Sequence, residues 1–400
     1  MMDLDNLFKG SSSKRSSANT AQDLIVSDDA AFIQSVEELY AIEGFAKPLQ
    51  VSEIEQEAVW NRNDVTLSHV ILDMRDNHSM VQEVSDIATR LDVSIKLLVI
   101  SNLDSIKTRD KVQACGASYI LWDEELDGLL ASLKRDIADA SKNGKTRVAK
   151  RILVLGTKGG IGVSCISSVL ANSLVHSANL KTLVVDHDSG AMNGDIFLGV
   201  KGYKIKENSI DLNQSEVDSA IAATYLCKVT DKLDYLALEK TSACLNDHAS
   251  TLFNLSSELI DKYNFIIDSV PMSSFEEVHD QDLAEKYHRI YLVCEPSVSS
   301  LRAYNRFKKK MGKAEHQVVF SMTRPQKDYL VTLNNARERI KCKSSLDFHY
   351  EPGLEQKLIQ MGTTGLMKSK YAATIAEMVA SLTGKQVQTK NAKKFSLFKK

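Results

Sequence analysis

The apolar run RILVLG (151–156) leads straight into GTKGGIGVSC (156–165), and helical periodicity resumes near Ser164. A buried strand that enters a helix through a glycine-rich turn restricts the fold sharply. The N–H groups of the turn then converge on the helix N-terminus and form a nest for phosphate. Gly159, Gly160 and Gly162 allow the tight loop and positive φ angles that such a nest needs. The runs KTLVVD, KLDYLAL, NFIIDSV, RIYLVCE, QVVFSM and SLDFHY follow, each with a helix or loop after it. Seven such strands joined by crossover helices predict a mainly parallel sheet covered on both faces.

Upstream, LIVSDD, HVILDMRD, KLLVISN and SYILWDEE alternate with the helical segments FIQSVEELY and MVQEVSDIATRL, a second α/β series. The polar stretch ADASKNGKTRVAK (138–150) has the composition of a linker. The sequence therefore predicts two doubly wound α/β domains, at 23–138 and 151–384, separated by a linker at 139–150. A flexible tail (1–22) and a basic tail (385–400) flank them. A hydrophobic content of 43% lets most of the chain bury a core, whereas the serine-rich SSSKRSSANT lacks the apolar surface to offset its ordering entropy. The net charge of -2 gives no global field for nucleic acid, so no specific nucleic-acid partner is expected. The six cysteines show no C-x-x-C pair, which argues against a zinc site or disulfide framework and suits thiols in a reducing cytoplasm. No apolar run approaches the roughly 20 residues of a transmembrane helix, and the N-terminus has no signal-peptide core, so the expected location is cytoplasmic.

The general phosphate-loop pattern, G-x-x-x-x-G-K-[ST], carries a lysine after its second glycine. Here Gly162 is followed by Val163 and then Ser164, so that lysine is missing. The arrangement Lys158-Gly-Gly-x-Gly resembles the deviant Walker A loop of the MinD/ParA P-loop ATPases, whose additional signature lysine matches Lys158. The resemblance runs from about Arg151 to Gly384 and implies a homodimer in which that lysine reaches the nucleotide of the partner subunit. It places ATP and Mg²⁺ around Lys158, Gly159, Gly160, Ile161, Gly162, Val163, Ser164 and Cys165, with Ser164 on the metal. In VVDHDSGAMNGDIFLG, Asn193 and Asp195 fall in the family's N-x-D-x-x-x-G element. The resemblance implies that Asp186 lies at the metal, Asp188 orients the attacking water and Asn193 contacts the nucleotide.

Asp268 in NFIIDSVP matches a Walker B carboxylate that holds Mg²⁺ through water. Glu295 and Pro296, in CEPSVSSLRAYNRF, fall near the base, while the family's adenine-reading asparagine is absent from VVFSMTRP. The structural alternative is that these acids merely cap strands and helices, since loops gather at strand ends in any doubly wound sheet. Loss of a charged phosphate contact costs about 1.5–3 kcal/mol of binding, and loss of a preorganised transition-state donor costs roughly 100- to 1,000-fold in rate. Nucleotide binding is therefore expected to survive better than hydrolysis.

The first series resembles a response-regulator receiver domain, with a flavodoxin-like fold. In that family an acidic pair and a third aspartate bind Mg²⁺, and the third accepts a phosphoryl group. Asp28, Asp29 and Asp73 match those places and Ser101 matches the responding hydroxyl, whereas Leu121, Trp122 and Asp123 stand where lysine and proline are usual. The alternative is a protein-binding or dimerisation module that retains the acids.

The last sixteen residues hold six lysines and no acid, with Phe395, Leu397 and Phe398 between them. Such a tail suits either peripheral contact with an anionic membrane or a solvated end. A receiver-like domain followed by a MinD/ParA-like one is similar to the TadZ/CpaE pilus-assembly proteins. That resemblance implies a localisation factor at a cell pole or other site, partnered with the secretion ATPase or other Tad (Flp, type IVb) components. Two alternatives stay open: an active positioning ATPase that cycles on and off the membrane, and a phosphorylation-controlled response regulator.

Overall fold

The computed structural model describes residues 22–52, 67–75, 77, 79–138, 148–207, 217–240, 248–275, 283–312, 314–366 and 369–383. The expected N-terminal tail up to 21, the 139–147 part of the linker and the basic C-terminal tail lie outside these residues. The chain divides into two compact units.

The first sheet comprises β1 (Gln22–Val26), β2 (Leu49–Val51), β3 (Leu67–Asp73), β4 (Lys96–Ser101) and β5 (Ser118–Leu121). All pairs are parallel, in the order β2-β1-β3-β4-β5. Leu24, Ile25, Val70, Ile71, Leu97 and Leu98 are fully or almost fully buried, as strands covered on both faces require. Helix α1 (Ala30–Glu43) begins where the Asp29 carboxylate accepts the Ala31 N–H and ends at Gly44 with φ of 73°. Its Phe32, Val36 and Tyr40, spaced by four residues, turn inward. Helices α2 (Met80–Arg90), α3 (Ile106–Ala114) and α4 (Asp127–Ala138) follow β3, β4 and β5. Strand order reverses at β1 and β3, so residues just after these two strands lie at a topological switch point.

The second sheet contains β6 (Lys150–Gly156), β7 (Thr182–Asp186), β8 (Lys206–Glu207), β9 (Cys227–Lys228) and β10 (Leu233–Glu239). It is completed by β11 (Phe265–Val270), β12 (Arg289–Cys294), β13 (Gln317–Ser321) and β14 (Ser345–Phe348). The order is β14-β13-β12-β6-β11-β7-β10-β8, with β9 antiparallel to β10 and every other pair parallel. Each of the seven apolar runs anticipated from the sequence is a strand here.

Helix α5 (Val163–Ala178) follows β6, and α6 (Gly194–Phe197), α7 (Ser219–Thr224), α8 (His248–Ser257) and α9 (Leu283–Lys286) lie further along. The last four are α10 (Val298–Lys310), α11 (Leu333–Ile340), α12 (Leu354–Met361) and α13 (Lys370–Thr383). Strand alternation divides the core cleanly. Ile152, Val154, Val184 and Ile267 pack on the face covered by α5 and α13. Leu153 and Leu155 face the α10 side, and Leu183, Leu236 and Ile266 face α8. That alternation fixes which strand-end acids can reach the loop after β6.

Candidate functional site

Strand β6 ends at Gly156, where a Cβ would stand 2.6 Å from Cγ2 of Val163. Val163 opens α5, is 9% exposed and joins the core on the α5 face together with Ile161. At the position where a phosphate loop carries lysine, the side chain is thus turned back onto the strand and supplies no charge. Cys165 points into the same core, and burial pushes its thiol up to about 12. The side chains of Val163 and Cys165 thus belong to the core, and only their backbone faces the loop.

The backbone of the loop retains the shape of an anion nest. Gly160 and Gly162 have φ of 73° and 89°, and nothing lies within 4 Å of a Cβ built on Gly159 or Gly160. Gly162 caps α5 without a side-chain hydrogen bond, which leaves the N–H groups of the first turn without a capping acceptor. Open space above the glycines and an uncapped sixteen-residue helix are the arrangement that accepts phosphate. The opposite side of the loop is fastened to β12. The N–H and Oγ1 of Thr157 both donate to the Val293 carbonyl, at 3.0 and 2.9 Å, and Ser300 Oγ lies 2.6 Å from Thr157 Oγ1.

Lys158 is engaged within its own subunit. Its Nζ lies 3.2 Å from Glu295 Oε2, and Arg324 Nη2 lies 3.4 Å from the other oxygen of the same carboxylate. The Glu295 side chain is 2% exposed, against 44% for Lys158 and 49% for Arg324. A carboxylate buried this deeply needs a counter-charge, and two are supplied. Pro296 beside it is also buried, and Ser297 caps α10 by accepting the Ser300 N–H. Glu295 therefore serves the loop as a counter-ion to Lys158 and Arg324.

The two acids expected at a metal are both committed elsewhere. Asp186 is 1% exposed and accepts the N–H of Asp188 (3.1 Å), the N–H of Gly194 (3.3 Å) and the hydroxyl of Tyr235 (3.0 Å). Burial raises its carboxyl to about 6. Asp268 shares the sheet face of Ile266, away from α5, because side chains alternate along β11. There it meets the Arg151 guanidinium, with Nη2 at 3.1 Å, and the Nε2 of His187 at 2.8 Å. Burial alone would raise the Asp268 carboxyl, but the Arg151 charge and the bonds from His187 and Arg151 outweigh it and hold the group well below its usual range. The carboxylate that the resemblance places at Mg²⁺ lies here in a buried ion pair on the far face.

Asp188, expected to orient water, accepts the N–H groups of Gly190 and Ala191 through Oδ1 at 3.0 Å each, and closes its own turn. Asn193 precedes α6 without a side-chain cap bond. Among the described residues no group of three or more His, Cys, Asp or Glu side chains is placed to hold a metal ion. The open glycine turn and the uncapped start of α5 fit phosphate, and Ser164 stands on the first turn of that helix.

In the first sheet, the acids expected to accept a phosphoryl group meet an internal cation. Arg75 Nη2 lies 2.7 Å from Asp29 and 2.8 Å from Asp73 Oδ2, and Nε lies 2.8 Å from Asp73 Oδ1. Ser27 Oγ also donates to Asp73 Oδ2 at 2.8 Å. The guanidinium carbon sits 4.7 Å from the Phe32 ring centre and 4.4 Å from that of Trp122. Its hydrogen bond holds the Asp29 carboxyl below the usual value. Asp28 is exposed and lies apart from these contacts, and buried Ser101 accepts the Leu103 N–H at 3.2 Å. Both oxygens of Asp73, the residue matched to the receiver phosphoacceptor, are thus engaged.

Arg75, Arg151 and Arg324 did not stand out in the sequence as site residues. One signal was present for Arg151: a charged residue that opens an apolar strand on the same face as Leu153 must find a buried partner.

The structure is similar to a ParA family ATPase from Chlorobium tepidum, at 19% identity over 57% of this chain and 98% of that one, with a TM-score of 0.48. It is also similar to the MinD cell division protein of Aquifex aeolicus, at 17% identity over 59% and 98% of the two chains, with a TM-score of 0.46. A putative plasmid partition protein from Borrelia burgdorferi, bound to AMPPNP, gives 18% identity over 58% and 98%, with a TM-score of 0.45. No protein-family model matches the chain, and no curated protein does. Among the described residues no helix is long and apolar enough to cross a membrane.

Proposed function

We propose that this chain is a MinD/ParA-type positioning protein whose second unit binds the phosphates of ATP and hydrolyses them slowly or not at all. One observation carries the reading: the glycine loop is open above Gly159 and Gly160, while Val163 is packed against Gly156 where the catalytic lysine is expected. Loop N–H groups and the helix N-terminus suffice to hold a phosphate, whereas transition-state charge goes without its side-chain donor. When bound, Mg²⁺ would neutralise phosphate charge, with Ser164 as its protein donor. Nucleotide then acts as a ligand that favours one assembly state, a homodimer in this reading, through differential affinity.

Within that class, the order of a receiver-like, flavodoxin-like unit and a MinD/ParA-like unit supports a narrower role. The protein would mark a pole or other site for Tad (Flp, type IVb) pilus assembly and recruit the secretion ATPase or related components. A second reading, a cycling ATPase, draws support from Lys158, which is nearly half exposed and stands at the loop's mouth. Equilibrium ATP binding, phosphate release and sedimentation on one sample separate the two. Binding with ATP-dependent dimers and no turnover supports the scaffold, and Val163→Lys is then expected to raise turnover by about 100-fold or more. Steady turnover in the unaltered protein, matched by the variant, would establish the cycling enzyme. Absence of binding at millimolar nucleotide would reduce the unit to a structural role.

A further inference from the structure

At the opposite end of the second sheet from the glycine loop, a cavity of about 470 Å³ opens where β12, β13 and β14 begin. Arg289, the first residue of β12, lines it with Lys308, Lys341 and Lys343, and Glu315 is its acid. Six residues of extended strand separate Arg289 from Glu295, about 20 Å, so this is not the phosphate loop. Among the described residues none of these four cations has a carboxylate partner within ion-pair distance. Arg289 Nε is buried without a hydrogen-bond partner. One wall is fixed, because the Tyr304 hydroxyl and His316 Nε2 lie 2.9 Å apart and their rings are 5.6 Å apart.

Lysines are commonly found at helix C-termini, where the dipole favours them, and Lys308 and Lys341 occupy such places on α10 and α11. The dipole explains neither Arg289, at the start of a strand, nor Lys343, beyond the helix. Nor does it satisfy the orphaned Nε. Uncompensated positive charge of this density around a concavity attracts a multiply charged anion, and guanidinium and ammonium donors both suit phosphate oxygens. The volume falls in the range of small-molecule sites. We infer that this cavity binds a small oligophosphate, free or as the tail of a larger metabolite, independently of the glycine loop.

The test uses inorganic tripolyphosphate and the full-length protein. Calorimetric titration is expected to show binding that Arg289→Gln with Lys343→Gln weakens about 10-fold or more. Cys342 lines the cavity and Cys227 does not, so alkylation of the unaltered protein gives a second readout that needs no variant. Tripolyphosphate should slow modification of Cys342 and leave Cys227 unaffected. Equal protection by ATP but not by AMP would identify a nucleotide tail as an acceptable source. Unchanged alkylation of Cys342 at millimolar tripolyphosphate overturns the inference. Protection by duplex DNA but not by tripolyphosphate also overturns it, and would make the surface a nucleic-acid interface.

Discussion

Gly156 and Val163 compete for one volume. A methyl group at 156 would overlap a β-branched side chain that has little rotamer freedom, and overpacking of this kind costs about 1–3 kcal/mol. Gly156→Ala should therefore lower the urea midpoint, and adding Val163→Ala should restore part of the loss, a coupling that two independent sites would not show. The Arg151–Asp268 pair gives a second prediction. Asp268→Asn leaves the guanidinium buried without its charge partner, with an expected loss of about 3–5 kcal/mol. The folded pKa of Asp268 is depressed, so its contribution is present at neutral pH and is lost as pH falls through the ordinary carboxylate range and below. The gap between parent and variant stabilities should narrow in that direction; a gap independent of pH down to the acid limit would contradict the assignment. The sequence marks Arg151 as an inward charge but not its partner. That depends on β11 lying beside β6 with Ile266 opposite Arg151, a register no local pattern encodes.

At the scale of elements, apolar runs bounded by turns were sufficient to locate all seven long strands of the second sheet, because strands buried on both faces are continuous apolar runs. The short pieces β2, β8 and β9 escaped for the opposite reason: two or three residues carry no period. The turn after β12 shows what spacing alone leaves hidden. Glu295 lies 137 residues from Lys158, and only adjacency of β6 and β12 brings them to 3.2 Å. With both cations drawn to a buried carboxylate, phosphate must compete with Glu295 for them. Glu295→Gln removes that competitor, and ATP affinity measured with a fluorescent analogue should rise by roughly 10-fold. Weaker binding in this variant would mean that Glu295 orders the loop rather than competing at it.

Across the molecule, both units keep the geometry of a ligand-binding strand end and place an opposite charge of their own within it. In the second unit a carboxylate sits against the cations of a phosphate nest, and in the first a guanidinium sits among aspartates. The first case is the more complete, since Arg75 makes three side-chain hydrogen bonds to Asp29 and Asp73, lies against two aromatic rings and is only 15% exposed. The acidic residues were legible at their places after β1 and β3; the arginine two positions beyond Asp73 was visible, but nothing in its spacing said that it would fold back. A cation already held by both aspartates leaves Asp73 without a free oxygen to attack phosphorus. Incubation of the parent with acetyl phosphate and Mg²⁺ should therefore leave Asp73 unmodified. Arg75→Ala removes the guanidinium bonds and the competing charge, leaving Ser27 on Oδ2, so Mg²⁺-dependent labelling of Asp73 should appear, readable as an acyl phosphate by mass. Efficient labelling of the parent would return the first unit to the class of phosphorylated regulators. Labelling confined to the variant would identify Arg75 as the residue that holds the unit in one state and leaves response to small ligands to the glycine-loop unit.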